Sequence, residues 1–356
     1  MKISLAAWGA VAAAPVMRGV CLGVNYRLID LTPNGMLDMT PGGIVPGEQF
    51  ASSFDPARKA WLFHGSAASA IDLTPAGFIS SHAGATDGVR QVGDGGIGNI
   101  AHALLWSGSA ESYIDLHPAG ATSSVGWGIF GNIQVGEVDG HAYLWHNTAA
   151  SAVDLNPAGF MDSIAINTSA TQQVGWGDDA VGEKALLWSG TAASAVNLHP
   201  SGYLYSMGRD VSGGMQVGEA ILSNNANHAM LWRGTAASHV DLHPPGWNQS
   251  QANGTNGISQ VGFVNSGTTY HAVMWNGTAA SMVDLQTGIV PSNYLFSMAE
   301  LIDSNGNILG TMFNDTQHRH LVMWEKIQVP EPGVMAVFAV VAMFIGKRRR
   351  AADSRR

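Results

Sequence analysis

In five copies of a repeating segment a histidine stands at the same position: His102, His141, His228, His271 and His320. Imidazole is a common metal ligand and proton carrier, so such a set could build a metal site or a proton relay. Two further copies carry lysine there, at Lys59 and Lys184, and an ammonium group has no lone pair to offer a metal. The pattern therefore predicts structural hydrogen-bond donors, with no metal site and no cofactor.

A second recurring position holds an acidic side chain or its amide, always between two aliphatic residues. It is occupied by Asp30, Asp72, Asp115, Asp154, Asn197, Asp241 and Asp284. Asparagine at one of these positions indicates that a hydrogen-bond acceptor is needed more than a negative charge. We expect these side chains to be buried and to accept hydrogen bonds from backbone or hydroxyl donors, because an unpaired buried carboxylate would cost a few kcal/mol.

Motifs typical of enzymes are missing from the sequence. It has no nucleophile elbow, no His-Glu-x-x-His, no phosphate-binding glycine loop and no clustered pair of carboxylates. The stretch from Asp303 to Asn307 resembles a calcium loop, but Ile308 stands where an EF-hand needs glycine, so a turn is predicted. We predict that the protein is not an enzyme. A glycan-active lyase or hydrolase is the alternative.

The segments that contain these residues repeat along the chain with a period of 39–49 residues. One column is aromatic and ends a segment of the form His-Ala-x-Leu-Trp; its members are Phe63, Trp106, Trp145, Trp188, Trp232, Trp275 and Trp324. A serine-centred segment, a run ending in Gln-Val-Gly, the His-Ala-x-Leu-Trp segment and an Ala-x-Val-Asp-Leu segment read as four short strands separated by turn residues. Four strands at this period are typical of a β-propeller blade.

The two ends of the repeat region predict how the ring closes. Residues 26–30 form a fourth strand that lacks the preceding three, and residues 293–324 supply three strands without a fourth. Six complete blades and one assembled from both ends predict a seven-bladed propeller whose last blade is completed by the N-terminal strand, which hides the edge strands. An open β-solenoid built from the same hairpins is the alternative.

The recurring His-Ala-x-Leu-Trp segment resembles the bacterial HAF extracellular repeat, whose motif reads His-Ala-Phe-Leu-Trp. The resemblance covers roughly residues 26–324 of a predicted repeat domain at 23–328, with Lys59 and Lys184 departing from it. It implies an extracellular setting and propeller-like repeats, and it brings no catalytic residues.

Length variation among the repeats falls almost entirely between the second and third strands. In a propeller these connections emerge on one face around the central channel, and a variable surface on a constant scaffold is where binding specificity usually lies. The candidate ligand face, suited to a sugar or a protein partner, comprises Trp176, Asp178, Asp179, Phe263, Tyr270, Phe313 and Asp315. Surface loops that drift under no functional demand are the alternative.

Charge is distributed unevenly along the chain of 356 residues. Net charges of +5 for residues 347–356 and +2 for residues 1–25 leave −16 on the body between them, out of −9 for the whole chain. Such a body repels phosphate backbones, so nucleic acid is not an expected partner. The single cysteine, Cys21, precedes the repeats, so the repeat region has no disulfide and its stability must come from packing.

Both ends of the chain carry sequences typical of export. Residues 1–22, with Lys2 before an apolar run, resemble a signal peptide; a frayed N-terminus is the alternative. Residues 329–356 contain Pro330, Glu331 and Pro332, then an apolar span, then Lys347, Arg348, Arg349 and Arg350.

This C-terminal order resembles the PEP-CTERM sorting tail of Gram-negative bacteria. The apolar span predicts a transmembrane helix, short at about 21 Å against a bilayer core of about 30 Å, and the basic cluster predicts that its end stays in the cytoplasm. The resemblance implies recognition by an exosortase-type membrane protease. A plain C-terminal anchor with the same charges is the alternative.

Together these observations predict an exported cell-surface or extracellular-matrix β-propeller that serves as a non-catalytic binding module for a glycan or a protein. A purely structural matrix protein without a specific ligand is the second prediction.

Overall fold

The computed structural model describes residues 26–36, 38–54, 57–314 and 318–327, and almost every element in them is a β-strand. The exceptions are six one-turn 3-10 helices: Ala67–Ser69, Ala110–Ser112, Ala149–Ser151, Ala192–Ser194, Ala236–Ser238 and Ala279–Ser281. Within these ranges no helix has the length and apolarity needed to cross a membrane. The predicted signal peptide and the predicted tail with its transmembrane helix lie outside the described residues.

The first strand, β1 (Tyr26–Asp30), precedes six units of four consecutive strands. Blade 1 contains β2 (Thr40–Val45), β3 (Glu48–Ser53), β4 (Lys59–Phe63) and β5 (Ile71–Asp72). Blade 2 contains β6 (Ser80–Thr86), β7 (Gln91–Ile97), β8 (Ile100–Trp106) and β9 (Ile114–Asp115). Blade 3 contains β10 (Ser124–Phe130), β11 (Ile133–Val138), β12 (His141–Trp145) and β13 (Val153–Asp154).

Blades 4 to 6 follow the same plan. Blade 4 contains β14 (Phe160–Thr168), β15 (Gln173–Asp179), β16 (Gly182–Trp188) and β17 (Val196–Asn197). Blade 5 contains β18 (Tyr205–Ser212), β19 (Met215–Ile221), β20 (Asn227–Trp232) and β21 (Val240–Asp241). Blade 6 contains β22 (Gln249–Thr255), β23 (Gln260–Asn265), β24 (Tyr270–Trp275) and β25 (Val283–Asp284).

Blade 7 is built from both ends of the described chain. It contains β26 (Tyr294–Ile302), β27 (Ile308–Asn314) and β28 (Arg319–Lys326), and β1 is its fourth strand, antiparallel to β28 with Tyr26 opposite Lys326 and Asp30 opposite Val322. All seven sheets are antiparallel with their strands in chain order, apart from this closing pair. The predicted seven-bladed propeller, closed by the N-terminal strand, is confirmed.

The core consists of layers between neighbouring blades, and the aromatic column fills them. Trp106 of blade 2 is fully buried with Leu62 and Leu73 of blade 1, and its ring lies edge-on to Phe50 at 6.2 Å. The third strands are apolar on both faces because each face packs against a neighbouring blade. The repeated tryptophan therefore positions one blade against the next.

Side-chain hydrogen bonds also join the blades. In blades 2 to 7 the recurring serine of the first strand accepts a hydrogen bond from the third strand of the preceding blade, as in Ala60 N to Ser81 Oγ at 2.8 Å and Ala142 N to Ser163 Oγ at 3.0 Å. Since these serines are buried, their hydroxyls satisfy backbone groups that would otherwise lack a partner.

Each first strand carries a β-bulge opposite the second strand, and the Gln-Val-Gly glycine lies beside it. In blade 4 the register shifts between Ala165 and Asn167, and a Cβ on Gly175 would lie 1.9 Å from the carbonyl oxygen of Ile164. The same close approach occurs at Gly93, Gly136, Gly218 and Gly262. In these blades a glycine lets the second strand pair this closely, whereas blade 1 has Ala51 at the equivalent position, opposite Pro41.

Candidate functional site

The recurring histidines and aspartates are partners, a relation that the sequence analysis did not predict. Nδ1 of His102 lies 2.8 Å from Oδ2 of Asp115, and the same contact joins the pairs 141/154, 228/241, 271/284 and 320/30. In blade 1, Lys59 Nζ donates to Asp72 at 2.6 Å. A constant separation of thirteen residues in blades 1 to 6 was the signal that could have revealed the pairing.

These pairs tie the third strand to the fourth in every blade except blade 4, where Lys184 Nζ donates instead to the carbonyl oxygen of Leu204 at 3.3 Å. Among the residues that the structure describes, no group of three or more histidine, cysteine or acidic side chains could hold a metal ion. The predicted burial of the aspartates is wrong, however. The Asp154 side chain is 45% exposed, because the fourth strand is the outer edge of the blade.

Each of these aspartates also closes a turn. Oδ1 of Asp154 accepts a hydrogen bond from the backbone N–H of Asn156 at 2.7 Å, and Asp115 accepts one from His117 at 2.8 Å. Such Asx turns need an acceptor and no charge, which agrees with Asn197 accepting from His199 N at 2.8 Å. The turn predicted at Asp303 is confirmed too, since its Oδ1 accepts from the backbone of Asn305 and Asn307.

The predicted ligand face divides into separate groups, and its described members lie in strands instead of loops. Trp176, Asp178 and Asp179 belong to β15 of blade 4, whereas Phe263 in β23, Tyr270 in β24 and Phe313 in β27 belong to blades 6 and 7. Blade 5 stands between the two groups. Asp315 lies outside the described residues, as do the residues of the predicted sorting motif and basic cluster.

The structure does bring the rings of the second group together. Phe263 and Tyr270 lie 5.4 Å apart, and Phe296 connects Tyr270 at 6.1 Å to Phe313 at 6.3 Å. The Arg319 guanidinium lies over Phe313 at 5.0 Å. This aromatic row joins blades 6 and 7, so packing between blades accounts for much of it.

A different set of residues faces the central channel. The bulged residue of each first strand lines one cavity of about 440 Å³, because a bulge turns a side chain away from the regular alternation of a strand. In blade order these residues are Gly42, Gly84, Trp127, Ile166, Arg209, Asn253 and Glu300. We call them the bulge ring.

The cavity extends from the bulge ring towards the turns between first and second strands, where Pro46, Asn256 and Ser304 contribute to its wall. Asp178, Asp179 and Tyr270 of the predicted ligand face lie at the other end of the second and third strands, whereas Trp176 and Phe263 lie in the middle of their strands. None of the described residues of the predicted face lines the channel cavity.

Arg209 and Glu300 are the charged members of the bulge ring. Nη2 of Arg209 donates to Oε1 of Glu219 at 2.6 Å, while its Nη1 has no acceptor among the described residues. The Glu300 carboxyl likewise has no hydrogen-bond partner in the part of the chain that the structure covers. Burial raises the pKa of Glu300 to about 7, although Arg209 and Arg319 act against this shift.

Trp127 and His82 line the cavity from blades 3 and 2. Nδ1 of His82 lies 3.0 Å from Oδ1 of Asp94, which orients the imidazole and leaves Nε2 without a described partner. The two rings meet edge-on at 5.5 Å, and Nε1 of Trp127 is buried without an acceptor. Five core tryptophans share that last feature, so it is the position in the channel that distinguishes Trp127.

Asp210, next to the bulge, joins three blades. It accepts hydrogen bonds from Asn167 Nδ2 of blade 4 and Thr255 N of blade 6, both at 2.6 Å, and from Val211 N at 2.8 Å. Burial raises the pKa of Asp210 to about 6, although these three donors oppose the shift. All of its bonds are internal, so Asp210 holds the ring of first strands together.

Comparison with known proteins identifies the fold. The sequence matches no protein-family model and no curated protein. An oligogalacturonate lyase in complex with manganese is 9% identical, with a TM-score of 0.57 over 88% of this chain and 96% of that one. The oligogalacturonate lyase of Vibrio parahaemolyticus is 10% identical, with a TM-score of 0.56 over 89% and 97%.

A third similar structure is the β-propeller domain of the Trilobed protease from Pyrococcus furiosus, which has an open velcro topology. It is 8% identical, with a TM-score of 0.52 over 81% of this chain and 95% of that domain. Here, by contrast, β1 pairs with β28 and closes the ring. At such identities the likeness extends to the propeller fold alone.

Proposed function

We propose that the protein is an exported, non-catalytic binding module that holds a small polar ligand in its central channel. The observation that carries this proposal is a set of polar side chains from four blades that line one cavity: Arg209, Glu300 and His82, each with a polar atom that has no described partner, and Trp127 beside them. Elsewhere the repeated polar side chains are paired with one another or with the backbone. Polar groups that open onto a cavity can exchange the water that solvates them for hydrogen bonds to a ligand.

The size and the lining of the cavity agree with this role. About 440 Å³ falls within the range of roughly 300–1,000 Å³ that small-molecule sites occupy. Trp127, Ile166 and Phe130 supply apolar wall, and the polar groups come from four different blades. A few polar groups that converge within an apolar lining are the usual composition of a ligand site.

Export and surface display form the second half of the proposal, and they depend on the sequence. The apolar run after Lys2, the Pro330-Glu331-Pro332 motif, the short apolar span and the basic cluster support delivery across the inner membrane and recognition by an exosortase-type protease. The propeller would stand on the outer side, anchored through its C-terminus until processing.

One observation favours a second function, a glycan-active lyase or hydrolase. A carboxyl with a pKa near neutrality inside a cavity suits general acid–base catalysis, and Glu300 has that property. Turnover of a polysaccharide that stops in Glu300→Gln would establish this function. Binding without turnover supports the module.

The experiment that tests the binding proposal compares two tryptophan variants on a glycan array. The purified full-length chain should give specific signals that Trp127→Ala abolishes and that Trp176→Ala, which is outside the cavity lining, leaves unchanged. Signals that depend on Trp176 would move the site to the face predicted from the sequence. An array without signals, confirmed in solution, would favour a structural matrix protein.

A further inference from the structure

The unpaired groups in the channel include both donors and acceptors. Nη1 of Arg209 can only donate a hydrogen bond, and a carboxyl such as that of Glu300 can always accept one. A ligand that pairs with both side chains must accept one hydrogen bond and donate another within one small volume. Hydroxyl groups do both, so several hydroxyls on a compact frame match the lining better than a pure acceptor such as phosphate.

The charges around the cavity disfavour an anion. Arg209 is the one permanently charged cation in the cavity lining that the structure describes, and its charge is offset by Glu219 at 2.6 Å. The lining also contains Asp210, Glu300 and Asp303. An anionic ligand would therefore lose its hydration and find no unpaired positive charge in return.

The site fits a cation poorly as well. Asp210 uses its carboxyl oxygens in three internal hydrogen bonds, and Asp303 uses its own in the turn at the start of β27. Glu300 takes up a proton near neutral pH, so it offers little fixed charge there. An ammonium group would meet no stable unpaired carboxylate in the cavity.

The cavity lining also includes apolar side chains. The face of an aromatic ring such as Trp127 and the side chain of Ile166 offer a surface for C–H groups, while the polar groups beside them meet hydroxyls. Resting on the binding role proposed above, we infer that the channel binds an uncharged saccharide unit, whose C–H face packs on Trp127 and whose hydroxyls pair with Arg209 and Glu300.

The test is isothermal titration calorimetry of the full-length chain with matched sugars. The probes are the methyl glycosides of glucose, galactose and mannose, then glucuronic acid, galacturonic acid and glucosamine. At least one neutral glycoside should bind, and its uronic acid should bind at least about tenfold more weakly, the equivalent of about 1.4 kcal/mol.

Two conservative variants show whether the channel is responsible. Trp127→Phe replaces the indole by a smaller ring and so reduces the face on which the sugar's C–H groups pack; affinity for the neutral sugar should fall about tenfold, the equivalent of about 1.4 kcal/mol. Measured at pH 8, above the pKa of about 7 of Glu300, Glu300→Gln removes a negative charge and should narrow the difference in affinity between the neutral sugar and the uronic acid. Trp176→Ala should change neither value, and melting curves show that each variant is folded.

The outcomes separate this inference from the proposed function. Preferred binding of a uronic acid or of glucosamine, lost in Trp127→Phe, would overturn the neutral-saccharide inference and leave the channel as the binding site. Sugar binding that is indifferent to both channel variants would overturn the inference and the assignment of the site together. Absence of binding by every probe at millimolar concentration would overturn the inference, and the array would then decide the broader proposal.

Discussion

Replacing Gly175 by alanine tests the steric origin of the repeated Gln-Val-Gly motif. The added Cβ would lie 1.9 Å from the carbonyl oxygen of Ile164 and 2.9 Å from its carbonyl carbon, where real Cβ contacts essentially never fall below 3.0 Å. The strands would therefore have to separate by about 1 Å. They have little room to do so, because Ala165 and Leu186, the partners of Gly175 on either side, are buried.

The expected loss exceeds ordinary overpacking, at least about 3 kcal/mol of unfolding free energy. At roughly 2 °C per kcal/mol for a domain of this size, the melting temperature should fall by about 6 °C or more. Gly159→Ala is the matched control, since Gly159 has φ +93° and no atom within 4 Å of the added Cβ. Only backbone strain acts there, about 1–2 kcal/mol.

Differential scanning calorimetry of the wild type and both variants at one scan rate provides the measurement. The steric argument predicts that Gly175→Ala is the less stable variant by a margin outside the error of repeated scans. Equal melting temperatures, or a smaller loss at Gly175 than at Gly159, would mean that the strands adjust freely and that the motif recurs for another reason.

Three further predictions concern the repeated aspartate, the residue beside the bulge and the tail. Asp154→Asn keeps the acceptor of its turn and should cost well under 1 kcal/mol, whereas Asp154→Ala removes it and should cost about 1 kcal/mol; equal denaturation midpoints would contradict the turn argument. Because the folded pKa of Asp210 is raised to about 6 from 3.8, its contribution to stability is complete below pH 3.8 and is lost as the pH rises through 6. Subtracting the urea-unfolding profile of Asp210→Asn from that of the wild type should expose this slope, and a flat difference would refute the shift. Replacing Pro330 and Glu331 together should block processing of the tail, and an unchanged product size on a gel would argue against sorting.

Much of the fold could be predicted because the same residue types recur at constant intervals in every repeat. Constant intervals between the Trp, Asp and Gly columns set the four strands, and the unpaired strand at Tyr26–Asp30 indicated closure. Strand length could not be predicted in the same way. Extra residues between Gly175 and Trp188 extend the paired strands β15 and β16, because a hairpin can lengthen both strands and keep its register. Residues assigned to loops from length variation alone therefore lie in the sheet.

The burial of the aspartates was mispredicted for a related reason. Asp154 lies between Val153 and Leu155, and two aliphatic neighbours in a short strand predict a buried position. The fourth strand, however, is only two residues long and forms the edge of its blade. The Asp154 side chain therefore lies at the surface of the blade, where it pairs with His141.

The channel residues were missed because a bulge becomes visible only in the pairing register. In blades 1 to 6 the bulged residue lies nine positions before the end of the Gln-Val-Gly motif or its equivalent, a spacing as constant as any other. The residue type at that position differs from blade to blade, from glycine to tryptophan and arginine, whereas the positions around it carry similar residues in each repeat. This contrast was present in the sequence, but without the register nothing indicated that these side chains share one cavity.

The bulge also explains how seven blades with the same repeated framework can enclose a channel cavity whose lining differs from blade to blade. A bulged residue lies outside the regular pairing and projects into the channel, so replacing its side chain leaves the ladders and the layers between blades intact. Gly42 and Gly84 illustrate the limit, since a Cβ on either would lie 2.5 Å or less from a carbonyl oxygen of the next blade. Blades 1 and 2 therefore cannot carry side chains there without moving apart. The side chains that we propose to recognise a ligand therefore come from blades 3, 5 and 7, with His82 from blade 2. This uneven distribution around the channel would give a bound molecule a defined orientation.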